Sequence, residues 1–127
     1  MAVDGAFEDL PADPDLLVTS ADGFKTGEGL LLVRSGERVS LVVADLVLDV
    51  PNGPGLRGLA FRLLGLTGDG PRLPTLVKWR VVGDRAALRA HLERLAATPG
   101  LARIVTSHGA IVEARPAEVL REIAARV

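Results

Sequence analysis

Residues 39–44 (Val-Ser-Leu-Val-Val-Ala) place apolar side chains on both alternating faces of an extended chain. Successive side chains of a strand point to opposite faces, so a strand with one face in water alternates apolar and polar residues. This run carries apolar residues on both faces instead. It therefore predicts a central strand of a sheet, covered by helices, rather than an exposed edge strand.

Further strands are predicted on both sides of this run. Short apolar segments at residues 16–19, 29–34 and 103–106 have strand character, and the turn residues 35–37 predict a hairpin between the second of these segments and residues 39–44. Residues 1–15 contain two prolines and five acidic side chains, so they predict an extended lead-in. Residues 16–127 are then expected to form a single domain.

Helical spacing of apolar residues appears in three later segments. The first runs from Leu56 to Leu64, the second follows Asp84 as a candidate N-cap, and the third begins near Pro116. Residues 76–82 are ambiguous between strand and helix, and helix is favoured. The predicted order is β-β-β-α-(α)-α-β-α, an α/β (α+β) protein with a sheet packed against helices.

Charge and cysteine content argue against several functions. Fifteen Lys and Arg face sixteen Asp and Glu, a formal net charge of −1, which predicts neither a nucleic-acid partner nor a cationic face for anionic lipid. The chain has no cysteine, so thiolate metal sites and cysteine nucleophiles are excluded. No signal-peptide pattern opens the sequence, and no run approaches the ~20 apolar residues of a membrane span. A cytoplasmic protein is expected.

Asp45 and His108 are the candidate functional residues, because each directly follows an apolar strand. The carboxyl ends of strands are where ligands and metals collect in sheets with helical crossovers. Two simpler interpretations stay open: Asp45 as a turn or cap residue, and His108 as a loop histidine bonded to a nearby carbonyl. The other histidine, His91, falls on the apolar face of the helix after Asp84 and is interpreted as structural.

Three segments together resemble the metallo-β-lactamase superfamily. Residues 42–47 (Val-Val-Ala-Asp-Leu-Val) and 104–109 (Ile-Val-Thr-Ser-His-Gly) are similar to its two late metal-binding motifs, and residues 23–27 (Gly-Phe-Lys-Thr-Gly) resemble its Gly-His-Thr-x-Gly element with Phe24 in place of the histidine. The resemblance implies the C-terminal half of an αββα sandwich, a mixed sheet with helices on one face.

The same resemblance implies an incomplete metal site. The family's His-x-His-x-Asp-His motif belongs to its N-terminal half, and this chain has only His91 and His108. Asp45 and His108 would be two ligands, either vestigial or shared across chains, whereas a catalytic zinc site needs about three protein ligands and an open position. No cofactor is expected in the isolated chain; zinc or iron would require another chain to complete the site.

Three functions are therefore weighed. The first is a non-enzymatic structural or binding module that covers its exposed sheet as a homodimer or with a complementary half-domain. The second is a metal-dependent hydrolase whose site is completed by a second chain or by the missing N-terminal half. The third is a small-molecule or anion-binding module that uses the loops at the strand ends.

Overall fold

The computed structural model describes residue 9 and residues 11–127, and within them four strands form one sheet. The strands lie in the order β1 (Leu16–Ser20), β2 (Gly29–Ser35), β3 (Arg38–Val43) and β4 (Leu101–Thr106). The β1–β2 and β2–β3 pairs are antiparallel, and the β3–β4 pair is parallel. The predicted mixed sheet is confirmed. Strand β3, which contains most of the run with apolar side chains on both faces, lies between β2 and β4.

The extended lead-in predicted for residues 1–15 falls in part on residues 1–8 and 10, which lie outside the described residues. Its last residues are tied to the first hairpin. Asp13 forms an isolated bridge with Leu16, and the carbonyl oxygen of Asp15 accepts the backbone N–H of Arg34 at 2.7 Å. The division of the chain into a lead-in and one domain stays a prediction.

The hairpin between β2 and β3 has a two-residue turn. Ser35 pairs with Arg38, so only Gly36 and Glu37 lie between the strands. Gly36 has a φ of +61°, a conformation that glycine adopts at little steric cost and that suits the twist of antiparallel strands. The predicted hairpin is confirmed.

The helices are α1 (Gly55–Leu63), α2 (Thr75–Arg80), α3 (Arg85–Ala96) and α4 (Pro116–Arg126). Asp84 caps α3 as predicted, because its carboxylate accepts the backbone N–H of Ala87 at 3.0 Å. The ambiguous segment at residues 76–82 is helical as far as Arg80. Within residues 9 and 11–127, none of the helices combines the length and apolar character needed to cross a membrane.

α3 and α4 pack against each other and cover one face of the sheet. Side chains without exposed surface come from the sheet, from both helices and from the segment after β3; they include Leu30, Leu41, Ile104, Leu88, Leu92, Leu120, Leu46 and Val47. Burial of each such side chain stabilises the fold by roughly 1.5–3 kcal/mol. The expected sheet with helices on one face is confirmed.

The opposite face of the sheet is not covered to the same extent. One residue from each strand forms a row across it, because Val18 pairs with Leu31, Leu31 with Val42, and Val42 with Val105. All four side chains are half-buried, whereas Leu41 and Val43 on the helix-covered face are buried. Helices therefore cover β3 on one face only, and the apolar residues of its other face line an open groove.

α1 directs its leucines away from the core. Leu56 is 87% exposed and Leu63 is 78% exposed, while the buried residue of the helix is Gly58. A Cβ atom on Gly58 would overlap the carbonyl group of Gly53, so the absence of a side chain permits the helix to lie against the preceding loop. The predicted amphipathic helix is present, and its apolar stripe faces outward.

Candidate functional site

The structure places Asp45 and His108 at the same edge of the sheet. β3 and β4 are parallel neighbours, so the residues that follow them emerge side by side. The Ser107 hydroxyl donates to the carbonyl oxygen of Ala44 at 2.8 Å, and the Ser107 N–H donates to the carbonyl oxygen of Val43 at 3.2 Å. The residues that immediately precede Asp45 and His108 are therefore in contact, and both candidate side chains are exposed.

Glu28 fixes the turn that carries Asp45. One oxygen of its carboxylate accepts three consecutive backbone N–H groups, those of Ala44 at 3.1 Å, Asp45 at 2.7 Å and Leu46 at 2.9 Å. The residue is only 7% exposed. A carboxylate that accepts several N–H bonds can remain buried because these bonds replace those it made with water.

Glu28 was not recognised as a site residue from the sequence. The available signal was an acidic residue between Gly27 and Gly29, directly before the apolar strand β2. Its hydrogen-bond partners lie 16 to 18 residues further along the chain, so no local pattern identifies them.

The loop that carries His108 is attached to the segment after β3. The N–H of Asp49 donates to the carbonyl oxygen of His108 at 3.4 Å, and the N–H of Ala110 donates to the carbonyl oxygen of Asp49 at 3.2 Å. Gly109 has a φ of +112°, and a Cβ atom there would overlap the Asp49 carbonyl group. These contacts fix the backbone around His108 and leave its imidazole exposed.

An open groove of about 370 Å³ leads along the sheet to this edge. Its floor includes Leu31, Val42 and Val105 from the uncovered row, and its rim includes Ala44 and Ser107. Ala44 and Ser107 directly precede Asp45 and His108, so the groove reaches the residues next to the two candidates, which do not themselves line it. Small-molecule sites commonly have this volume and this combination of an apolar lining with a few polar groups.

His91 lies away from this groove, in α3. It is buried, and its Nδ1 lies 3.0 Å from a carboxylate oxygen of Asp22, which the Arg94 side chain also contacts. The Asp22 backbone N–H donates to His91 Nδ1 at 3.2 Å. Hydrogen bonding between the Asp22 carboxylate and the His91 side chain lowers the pKa of Asp22 below its ordinary value of 3.8, with smaller contributions from electrostatic interaction with His91 and Arg94. This environment agrees with the structural interpretation of His91.

No group of three or more His, Asp or Glu side chains arranged to hold a metal ion occurs in residue 9 or residues 11–127. Phe24, at the position where the resemblance expects a histidine, pairs with Val82 and packs against the core instead. The assignment of Asp45 and His108 as metal ligands stays a prediction.

Comparison with known proteins gives one partial relationship. The chain is 43% identical over 58 residues to D-ribose pyranase 1 of Rubrobacter xylanophilus. The match covers 46% of this chain and 44% of the relative, so it spans less than half of either protein. No family model matches the chain.

The expected membership of the metallo-β-lactamase superfamily is therefore wrong. The named relative belongs to a different family, and no family model supports the resemblance. The motifs on which it rested are short: an aspartate after one strand and Ser-His-Gly after another are common wherever parallel strands end in loops. The lactamase-like structural module and its hydrolase alternative are therefore wrong as well.

Proposed function

We propose that this protein binds a small polyhydroxylated molecule, a monosaccharide of the D-ribose type, where the groove meets the Asp45 and His108 loops. The observation that carries the proposal is the partial identity to a protein named D-ribose pyranase. It supports the third function considered from the sequence, a small-molecule module at the strand ends, and now supplies a ligand class.

The side chains at this edge are suited to recognise a sugar. A monosaccharide presents hydroxyl groups around its ring together with apolar C–H surfaces. The Asp45 carboxylate accepts hydrogen bonds from hydroxyls, and the His108 imidazole both donates and accepts them. The C–H surface of the ring would lie on the apolar floor formed by Leu31, Val42 and Val105.

The same two side chains are of the types needed to open a cyclic sugar. A general base takes the proton of the anomeric hydroxyl, and a carbonyl forms as the C1–O bond to the ring oxygen breaks. The ring oxygen keeps the electron pair and takes a proton from a general acid. No redox step is involved. Asp45 and His108 are candidates for the base and the acid.

Saturation-transfer NMR with D-ribose tests the binding. We expect transfer from the protein to the sugar, with at least about a tenfold weaker effect in Asp45→Asn and His108→Gln, because each change removes a charge or a proton-transfer group at the edge. Glu37→Gln is the matched control, since Glu37 is also an exposed acidic residue in a turn and lies outside the groove. Absence of transfer to D-ribose, or an equal loss in all three variants, would overturn the proposal.

Exchange between anomeric signals tests the reaction separately. When the NMR signal of one ring form of the sugar is saturated, the saturation should transfer to the signal of the other form faster with the protein than without it. This acceleration should be absent in His108→Gln. Binding without acceleration would leave a sugar-binding module and remove the ring-opening role.

We also propose, as a separate matter, that a second copy of the chain lies over the uncovered sheet face, so that the groove and its sugar are enclosed between the two copies. Support comes from the apolar row of Val18, Leu31, Val42 and Val105, since contiguous apolar surface usually marks an interface. A complementary half-domain is the alternative occupant. A cytoplasmic location remains a proposal as well; it rests on the sequence pattern of the first residues and on the short length of the apolar runs.

A further inference from the structure

The exposed face of α1 is an uninterrupted apolar stripe. Leu56, Leu59 and Leu63 are 87%, 51% and 78% exposed. Their spacing of three and four residues places them on one side of a helix, because each residue advances the side-chain direction by about 100°. Gly58, the buried residue, lies on the opposite side. The orientation of the helix is thus fixed by its contact with the preceding loop, and the stripe faces outward.

Cations flank this stripe on both sides. Arg57 and Arg62 are exposed and lie about 100° to either side of the leucines on the helix. The guanidinium of Arg57 lies over the Phe61 ring, 5.3 Å from its centre. A helix with an outward apolar stripe and arginines along its borders has the pattern of a segment that lies flat in a lipid interface.

A second helix with exposed apolar side chains, α2, begins close to the end of α1. Gly65, just after α1, lies against Thr75, the first residue of α2, so closely that a Cβ atom would overlap its side chain. α2 exposes Trp79 to 68% and Leu76 to 43%. We use the name α1–α2 surface for the exposed side chains of residues 55–63 and 75–80.

The cations of this surface are not balanced by carboxylates of its own helices. Residues 55–63 and 75–80 contain no Asp or Glu, and Arg57, Arg62 and Arg80 are exposed. Over the longer segment of residues 50–83, five cations accompany a single carboxylate, Asp69.

We propose that the α1–α2 surface docks on an anionic lipid surface, with the α1 leucines in the interface and the flanking arginines at the headgroups. An anionic surface complements the cations while its apolar layer receives the leucines. A second copy of this surface complements it poorly, because α1 of the copy would present the same two arginines and no carboxylate to pair with them.

Vesicle co-sedimentation of the full chain tests this proposal. Vesicles of phosphatidylcholine with phosphatidylglycerol should retain the protein, and vesicles of phosphatidylcholine alone should not. The double variant L56S/L63S should lower the partition coefficient by about tenfold or more, because two leucines lose their apolar burial. Ile111→Ser is the matched control, since Ile111 is an exposed apolar residue outside this surface.

Two further readouts make the result specific. Raising the salt concentration from about 0.1 M to about 0.5 M should weaken binding, because the arginines act through screened charge. Trp79 is the only tryptophan of the chain, so a blue shift of its fluorescence on adding anionic vesicles would report its entry into the interface.

Several outcomes would overturn the proposal. These are absence of binding to anionic vesicles, equal binding to neutral ones, and equal loss of binding in Ile111→Ser and L56S/L63S. If the protein does not bind vesicles but self-associates, and L56S/L63S abolishes the self-association, the surface would be assigned to a second copy. Binding of an acidic amphipathic peptide without vesicle binding would assign it to a protein partner.

Discussion

The carboxylate of Glu28 accepts the backbone N–H of Asp45 at 2.7 Å, from a position 17 residues earlier in the chain. The candidate site thus depends on a residue that does not line the groove. Glu28 lies just before β2, and the turn that contains Asp45 directly follows β3. The antiparallel pairing of these two strands therefore brings the Glu28 carboxylate next to the turn.

Replacement of Glu28 should destabilise the fold and loosen the Asp45 turn. Glu28→Ala leaves three N–H groups without their acceptor, and we expect a loss of about 2–3 kcal/mol in the free energy of unfolding. Glu28→Gln keeps an acceptor oxygen without the charge, so its loss should be about 1 kcal/mol. Chemical denaturation measures both values. Equal stability of Glu28→Ala and the unmodified protein would contradict this role.

Gly109 should tolerate no side chain. Gly109→Ala would force a Cβ atom into the Asp49 carbonyl group, in a backbone conformation that alanine rarely adopts. We expect a loss of about 2 kcal/mol or more in stability. Gly36→Ala is the control, because Gly36 also has a positive φ but faces open space, so its cost should be about 1 kcal/mol. Equal costs would show that the close approach to Asp49 does not matter.

The contact of the Asp22 carboxylate with His91 and Arg94 should contribute stability only when Asp22 is ionised. Its pKa is lowered in the folded protein, so the contribution is present above the ordinary pKa of 3.8 and is lost as the pH falls through the lowered value. Asp22→Asn should therefore cost at most about 1 kcal/mol near neutral pH, since Asp22 is half-exposed, and nothing at the acidic end. Denaturation curves measured across this pH range should show the unfolding free energies of Asp22→Asn and of the unmodified protein becoming equal in acid. A stability difference that persists unchanged in acid would contradict it.

The uncovered sheet face should produce a dimer in solution. Size-exclusion chromatography with light scattering should give about twice the 13.3 kDa mass of the chain. Val42→Lys places a charge in the apolar row and should shift the mass toward the monomer. Leu17→Lys is the control, because Leu17 is exposed on the other face of the sheet. A stable monomer of the unmodified protein would remove the dimer proposal.

Local signals in the sequence were sufficient to predict most of the secondary structure. The cap at Asp84, the turn at Gly36 and the periodicity of α4 depend on residues within one turn of each other, so short patterns identify them. That Asp45 and His108 each directly follow a strand was also predictable, because it depends on the local order of residues, whereas the parallel pairing of β3 with β4 was not.

The side of each helix or strand that faces the core was not predictable from the sequence. The spacing of Leu56 and Leu63 is the same whether a helix faces a core or solvent, and only the contact of Gly58 with Gly53 distinguishes the two. Val42 likewise belongs to a strand with two apolar faces, of which the helices cover one. The Glu28 contact could not be predicted either, because it joins groups that are distant in sequence.

The exposed arginines of α1 carry a local positive charge in a chain whose net charge is −1. Local charge acts on a nearby charged body even when the force on the total charge is small. Under the lipid proposal, a negatively charged surface would therefore attract Arg57 and Arg62 before any atoms touch. This attraction would decline as dissolved ions shorten the range of the field.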